Sequence, residues 1–188
     1  MKNCVLTLTA AAAVLISSAS SAAAQASGTT FDLGAAYQFL HIDRDEDGQS
    51  FPFGVVIDAA RYWGALGLAA EGGWAYDSTE FDDRSVFAGL SAKTSFLHAG
   101  AGPRFALRSP RRVRPYAQVL FGFSTVRFGI EDLDNSEAAF MIQPGGGVTF
   151  MMGDGWGLFG DVAYRRSFFE NNGSNEIRVL VGARMSLD

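Results

Sequence analysis

The chain has 188 residues, of which 48% are hydrophobic, 13% aromatic and 19% charged, with a formal net charge of −5. This length suits one domain, and the hydrophobic and aromatic content excludes a disordered chain. The acidic balance excludes the basic field typical of a nucleic-acid-binding protein, so no nucleic acid is expected as a partner. Arginine outnumbers lysine by 13 to 2, which is unusual for the surface of a soluble protein.

The first 24 residues have the pattern of a secretory signal peptide. A short positively charged start and an apolar stretch at 4–16 precede Ala22–Ala24, which has the Ala-x-Ala form of a cleavage site. We predict cleavage before Gln25, leaving 25–188 as one exported barrel domain. The single cysteine lies in the leader, so the mature domain is expected to use neither disulfides nor thiol chemistry.

From residue 30 onward, apolar residues alternate with small or polar ones at a period of two. This period is typical of β-strands and differs from the helical period. We predict eight strands, because eight such runs follow one another along the chain. The runs lie at 31–40, 53–60, 66–76, 97–106, 116–124, 140–150, 158–165 and 177–187.

The connections between these runs alternate in length. Short joints are expected at 61–64, 109–114 and 153–155, and longer polar segments at 43–50, 77–93, 129–137 and 167–175. Acidic residues concentrate in the long segments, and arginines concentrate at the first two short joints. An up-and-down barrel places alternate connections at opposite ends, so this pattern favours such a barrel.

Alternation alone does not determine which face is inside, and two kinds of barrel compete. A soluble lipocalin-like barrel turns its large apolar residues inward, whereas a transmembrane barrel turns them toward lipid. Here the less apolar face consists mostly of Gly, Ala and Ser with isolated charges, which suits a crowded interior. We therefore predict an all-β fold, an eight-stranded antiparallel up-and-down transmembrane barrel. Aromatic residues near the strand ends fit interfacial girdles: Phe39, Phe51, Trp63, Trp74, Tyr76, Trp156, Tyr164 and Phe168.

This architecture, with the segments Gly102–Phe105 and Arg114–Ala117, resembles the small eight-stranded outer-membrane barrels of bacteria, like the transmembrane domain of outer membrane protein A. The resemblance covers 30–187 and implies a Gram-negative outer membrane, periplasmic turns and extracellular loops. The expected partners are the outer-membrane lipid and lipopolysaccharide, the barrel-assembly machinery and an unknown extracellular ligand. We expect a monomer without cofactors. The ending Leu187-Asp188 departs from the aromatic that commonly closes the last strand.

Charged residues with inward parity predict an ionic network inside the barrel. Its expected members are Asp58, Glu71, Arg104, Asp161, Arg165, Arg178 and Arg184. A buried carboxylate is costly unless a partner offsets its desolvation, so these groups should pair. Glu71 is expected to pair with Arg104 or with an arginine of the last strand, because alternation gives no strand register.

Two prolines within the runs, Pro103 and Pro144, remove ladder donors. We predict a bulge or a local end of strand pairing at each position. No functional role is expected for either proline.

One acidic segment partly matches a calcium-binding loop. Asp43, Asp45 and Asp47 give the spacing Asp-x-Asp-x-Asp-Gly, but the twelfth position is Gly54, where such a loop has glutamate. We favour the alternative, a solvated acidic hairpin tip that turns at Asp47-Gly48. The sequence therefore favours an acidic hairpin tip over a metal site.

The function predicted from the sequence is structural or surface-binding, as in an adhesin, and non-enzymatic. The alternative is a lipid-modifying enzyme, an acyltransferase or deacylase, that would use His41 and Asp77-Ser78 near the outer strand ends. Nothing in their spacing shows that these groups meet. A diffusion porin is disfavoured, because eight strands leave an interior that side chains fill.

Overall fold

Every regular element in the described part of the chain is a β-strand. The computed structural model describes residues 29–43, 49–80, 91–107, 112–130, 133–153, 155–169 and 173–187. Its strands are β1 (Thr29–Asp43), β2 (Gln49–Phe51), β3 (Phe53–Trp63), β4 (Leu66–Glu80), β5 (Ser91–Ala106), β6 (Val113–Ile130), β7 (Leu133–Met151), β8 (Trp156–Phe168) and β9 (Gly173–Leu187). None of the described residues forms a helix long and apolar enough to cross a membrane.

The strands form one closed antiparallel sheet, because β1 pairs with β3 on one side and with β9 on the other. The segments β2 and β3 both pair with β1 and together make one barrel strand. Tyr37 lies opposite Val55, whereas Leu40 lies opposite Phe51, so one extra residue is accommodated near Pro52. This is a β-bulge at a residue that has no N–H to donate. The predicted eight-stranded up-and-down barrel is confirmed.

The strands tilt around the barrel axis, as their pairing shows. A row of directly opposed residues leads once around the barrel: Leu33, Ala59, Ala70, Ala101, Phe121, Ile142, Arg166, Asn175 and Asp43. The row starts and ends on β1, but it returns ten residues further along the strand. This stagger is the shear that lets a tilted sheet close on itself.

Apolar side chains face outward and most charged strand residues face inward, as predicted for a transmembrane barrel. Ile57, Val181 and Phe123 are 62%, 63% and 66% exposed, whereas Arg165 and Arg178 are completely buried. A soluble barrel would show the opposite distribution. The outward surface is therefore suited to hydrocarbon.

Aromatic rings lie near both ends of this outward surface. Trp63 and Trp156 are exposed at the end that carries the short turns. Toward the other end, Phe140 contacts Phe123 and Phe168, with ring centroids 6.1 and 6.3 Å apart. Such girdles mark the two membrane–water interfaces of a β-barrel.

The two ends of the barrel differ in their connections. Thr29 pairs with Trp63 and Phe31 pairs with Leu187. The start of β1 and the end of β9 therefore lie at the same end of the barrel as the short turns. We call this the turn end and the opposite one the loop end. Gly64 and Gly155 adopt positive φ angles of 71° and 95° in these turns, a conformation that favours glycine.

The strands at the loop end are longer than the sequence predicted. β6 ends at Ile130 and β7 begins at Leu133, so most of the segment 129–137 is strand, where we predicted a long connection. Strand pairing likewise extends through Glu80 and from Ser91. The prediction was wrong there because beyond the apolar band no lipid imposes apolar alternation, while the backbone ladder continues.

Pro103 and Pro144 each interrupt the pairing with one neighbouring strand and not with the other. Pro103 lies opposite Leu68 of β4, but Gly102 and Pro103 do not pair with β6. Pro144 lies opposite Val119, and the β7–β8 ladder skips it. The strand registers on either side of each gap are the same, so these are local ends of pairing and not bulges.

Orientation in the membrane gives the first testable prediction. We expect the turn end to face the periplasm, because short turns lie there in such barrels. Epitope tags inserted at Asp47 or Asn172 should therefore be labelled on intact cells, and a tag at Asp154 only after permeabilisation. The reverse labelling pattern would contradict this orientation.

The outward surface gives the second prediction. Val181→Arg, in the middle of β9, should lower the free energy of unfolding by about 2–4 kcal/mol in phosphatidylcholine vesicles, because the charge enters hydrocarbon. The control Leu187→Arg, at the end of the same strand, should cost only about 0–1 kcal/mol. Urea titration of both variants measures the difference. Equal costs would contradict the assignment of Val181 to the membrane midplane.

Candidate functional site: the barrel interior

The interior of the barrel holds charges of both signs in equal number among its eight central groups. The carboxylates are Asp58, Glu71, Asp161 and Glu176, and the guanidinium groups are Arg104, Arg165, Arg178 and Arg184. All eight side chains are buried. The opposite signs balance, so the interior carries little net charge despite its polarity.

The first cluster lies in the half of the barrel nearer the turn end. Arg104 Nη1 and Arg184 Nη2 both donate to Asp58 Oδ2, at 2.7 and 3.0 Å. Arg104 Nε also donates to Gln118 Oε1 at 2.7 Å. Arg104 therefore has Asp58 as its carboxylate partner, and it does not contact Glu71. Of the two kinds of partner that the sequence left open for Glu71, the structure shows an arginine of the last strand, Arg178, and not Arg104.

The second cluster lies at mid-barrel and is built on Glu71. Both terminal nitrogens of Arg178 donate to the carboxylate of Glu71, and His98 Nε2 lies 3.1 Å from Oε1. Arg178 Nη2 also donates to Asp161 Oδ1 at 3.2 Å. Tyr116 in turn donates its hydroxyl hydrogen to Asp161 Oδ2 at 2.9 Å. The two-pronged contact satisfies both carboxylate oxygens of Glu71 at once.

The third cluster lies toward the loop end. Arg165 Nη1 donates to Glu176 Oε2 at 3.1 Å, and Ser167 and Ser174 donate to Oε1 at 2.7 and 2.9 Å. Arg165 Nε donates to Gln143 Oε1 at 2.7 Å, and Gln143 donates to Glu71 at 3.2 Å. Gln143 therefore links the third cluster to the second.

Sequence reasoning missed Glu176. We predicted that the last run begins at Ile177 and placed the preceding residues in or beside a connection. The signal was present, because Glu176 has the same parity as Arg178, two positions later. Extending the run by one pair of residues would have included it.

Aromatic and aliphatic side chains fill the remaining interior. The guanidinium carbon of Arg184 lies 4.7 Å from the ring centre of Tyr116 and 4.2 Å from that of Phe159. Arg165 lies 5.1 Å from the ring of Phe96. A buried apolar cluster packs beside the third cluster, with Ile42 opposite Glu176: Leu40, Ile42, Phe51, Ala75 and Phe96, with Val126 against it. Phe51 is therefore inside the barrel, and its predicted place in the outward girdle was wrong because the bulge near Pro52 shifts its parity.

One recess opens at the turn end of the interior. Asp32, Tyr62, Arg114 and Ser186 are among the residues that line it. Ser186 donates its hydroxyl hydrogen to Asp32 at 2.7 Å. The recess has room for about one water molecule, too little for a substrate or cofactor.

The other candidate residues lie at the loop end. His41 Nδ1 is 2.9 Å from Ser50 Oγ, and Gln49 donates to Asp77 Oδ2 at 3.4 Å. The structure thus gives His41 and Asp77 separate partners, and the side chain of Ser78 lies outside the described residues. Asp45 and Asp47 of the acidic segment also lie outside them. Among the described residues, no group of three His, Cys, Asp or Glu is placed to hold a metal ion.

The outer membrane protein beta-barrel domain family matches residues 9–184. The chain belongs to this family. With its closed barrel and apolar outward surface, the family places the protein in the bacterial outer membrane. A comparison with curated proteins gives no match.

Solved structures share the fold at low sequence identity. Ail, the attachment invasion locus protein of Yersinia pestis, solved with the heparin analogue sucrose octasulfate, is 15% identical, with a TM-score of 0.62 over 86% of this chain and 100% of Ail. Neisserial surface protein A is 15% identical, with a TM-score of 0.60 over 85% and 97%. OprG of Pseudomonas aeruginosa is 10% identical, with a TM-score of 0.55 over 85% and 96%.

The interior pairing gives the third prediction, a double-mutant cycle. Glu71→Gln and Arg178→Met should be coupled by more than about 1 kcal/mol in unfolding free energy, because they remove the same buried contact. Glu71→Gln and Arg104→Met, the matched control, should be coupled by less than about 0.5 kcal/mol. Urea unfolding in detergent measures all five variants. Stronger coupling to Arg104 than to Arg178 would contradict the observed pairing.

Proposed function

We propose that the protein is a non-enzymatic, closed barrel anchor that presents acidic segments at the cell surface for binding. The observation that carries this proposal is the filled interior. Three ionic clusters and an apolar cluster occupy the barrel along its length. A barrel so filled offers no path for solutes, so the surface is left as the place where the protein acts.

The chemistry at the loop end supports binding more than catalysis. His41 contacts Ser50, and Asp77 contacts Gln49. A catalytic pair would need the base within hydrogen-bond reach of the nucleophile or of the group that orients it. The interior Glu71–His98 pair is buried on all sides, out of reach of a lipid or polymer substrate.

The charges of the loop-end segments indicate the kind of partner. Acidic residues cluster at the loop end in the sequence: Asp43, Asp45, Glu46, Asp47, Asp77, Glu80, Asp82, Asp83, Glu131, Asp132, Asp134 and Glu137. The same segments hold few cations. Such a surface attracts basic partners and repels sulfated polysaccharides. We therefore propose a basic polypeptide as the surface ligand, in contrast to the heparin analogue found with Ail.

The fourth prediction tests this proposal with polylysine as the probe. Protein reconstituted in phosphatidylcholine nanodiscs should bind a fluorescent polylysine peptide, and binding should weaken as salt is raised. Neutralising Asp43, Asp45, Glu46 and Asp47 as amides should weaken binding about tenfold, at a few tenths of a kcal/mol per charge. Fluorescence anisotropy measures the affinities.

The control is Asp154→Asn, which removes a carboxylate from the connection between β7 and β8 and should leave the affinity unchanged. Sucrose octasulfate should not bind the wild-type protein. Equal affinities of the wild-type and amide variants for polylysine would contradict the proposed role of the acidic segment.

A further inference from the structure

A cluster of polar side chains lies on the lipid-facing surface near the loop end, on β8 and β9. Arg166 and Asn175 lie directly opposite each other, and Tyr164 precedes Arg166 by two positions on the same face. Phe168 and Ile177, beside them on the same two strands, are 48% and 54% exposed, whereas Asp43 lies opposite Asn175 on the β1 side. Polar side chains on this surface indicate a functional role, because hydrocarbon does not solvate them and their placement there is costly.

The hydrogen bonds within the cluster consume its acceptor and leave donors. Tyr164 donates its hydroxyl hydrogen to Asn175 Oδ1 at 2.6 Å, and Arg166 Nη1 donates to the same oxygen. The amide nitrogen of Asn175 and the other N–H groups of Arg166 do not take part in these two hydrogen bonds. The cluster therefore presents N–H donors and one positive charge, which is the chemistry that binds an oxyanion.

The guanidinium of Arg166 has a defined seat. Its carbon lies 5.9 Å from the ring centre of Phe168. On the neighbouring strand it crosses Gly173, where an added Cβ would lie 2.5 Å from Nη2 and 2.8 Å from the guanidinium carbon. A side chain at position 173 would displace the guanidinium from this position, so glycine leaves room for it there. The planar group is thus held between a ring, a glycine and the amide of Asn175.

The depth of the cluster matches a lipid headgroup. Arg166 follows Trp156 of the turn-end girdle by ten residues on β8, and a tilted strand crosses a bilayer in about 9–11 residues. Phe140 and Phe168 of the loop-end girdle lie beside it. With the turn end toward the periplasm, the cluster lies at the headgroup level of the outer leaflet.

We propose that Arg166 and Asn175 form a binding site for the phosphate of a phosphorylated glycolipid in the outer leaflet, the lipid part of lipopolysaccharide. The acyl chains would cover the apolar surface around Ile177 and Ile142, the latter opposite Arg166. Asp43 lies opposite Asn175 on the side away from Arg166, so the phosphate seat is on the Arg166 side.

The turn end provides a matched arginine. Arg61 lies over the ring of Trp63 at 5.4 Å, so it is another arginine beside a girdle aromatic. Its neighbours across the strands are Phe31 and Leu68, which offer no amide to complete a phosphate seat. A generic attraction of girdle arginines to anionic lipid would therefore involve Arg61 as much as Arg166.

The fifth prediction measures glycolipid binding by native mass spectrometry of the protein released from nanodiscs. The wild-type protein should bind bisphosphorylated lipid A at least five times more tightly than its dephosphorylated form or phosphatidylglycerol. Arg166→Gln should weaken binding of bisphosphorylated lipid A at least fivefold, and Arg61→Gln should leave it within twofold. Arg166→Gln should not change polylysine binding, so this site is tested apart from the proposed surface role.

A second variant covers the case in which Arg166→Gln fails to fold, as judged by heat-dependent electrophoretic mobility. Asn175→Asp keeps the acceptor for Tyr164 and Arg166 but adds a negative charge, so it should weaken binding of bisphosphorylated lipid A by a similar factor. Unchanged binding in the folded variants, an equal loss in Arg61→Gln, or equal binding of phosphatidylglycerol would each overturn the proposal.

Discussion

A backbone surrounded by hydrocarbon must satisfy its own hydrogen bonds, and the rest of this structure depends on that constraint. The pairing of β1 with β9 meets it by removing both edges of the sheet. Closure of eight strands then creates a narrow interior that must be filled, and the stagger of ten residues sets the strand tilt. The apolar exterior and the polar interior both follow from this closure.

The interior meets a second constraint, the desolvation of its charges. An isolated buried charge is costly, so every carboxylate of the three clusters contacts at least one arginine. Arginine suits this because its planar group bonds several acceptors and stacks on rings, as Arg184 does between Tyr116 and Phe159. The scarcity of lysine in the sequence agrees with that use. The charged side chains therefore fill the interior of this barrel, as apolar side chains do in a soluble protein.

Parity predicted much of this fold from the sequence. Because side chains alternate between two faces, the position of Glu71 and Arg178 on one face and Val179 on the other could be read directly. The partner of Arg104 could not be predicted, since it depends on which residues of β3 and β5 lie at the same position along the barrel axis. That position depends on register and shear, which no single strand encodes. The loop-end strand extensions were missed for another reason, since period-two hydropathy reports lipid contact and not strand pairing.

The central contact of the interior joins residues far apart along the chain. Glu71 and Arg178 are separated by 107 positions and come from β4 and β9, so they meet only when the last strand is in place. Until then an incomplete sheet holds carboxylates and guanidinium groups without partners, and hydrocarbon would be a poor environment for them. Closure and insertion are therefore coupled, and assembly should be all-or-none. A chain that lost β9 would keep most of its apolar surface but have no stable way to bury its acids.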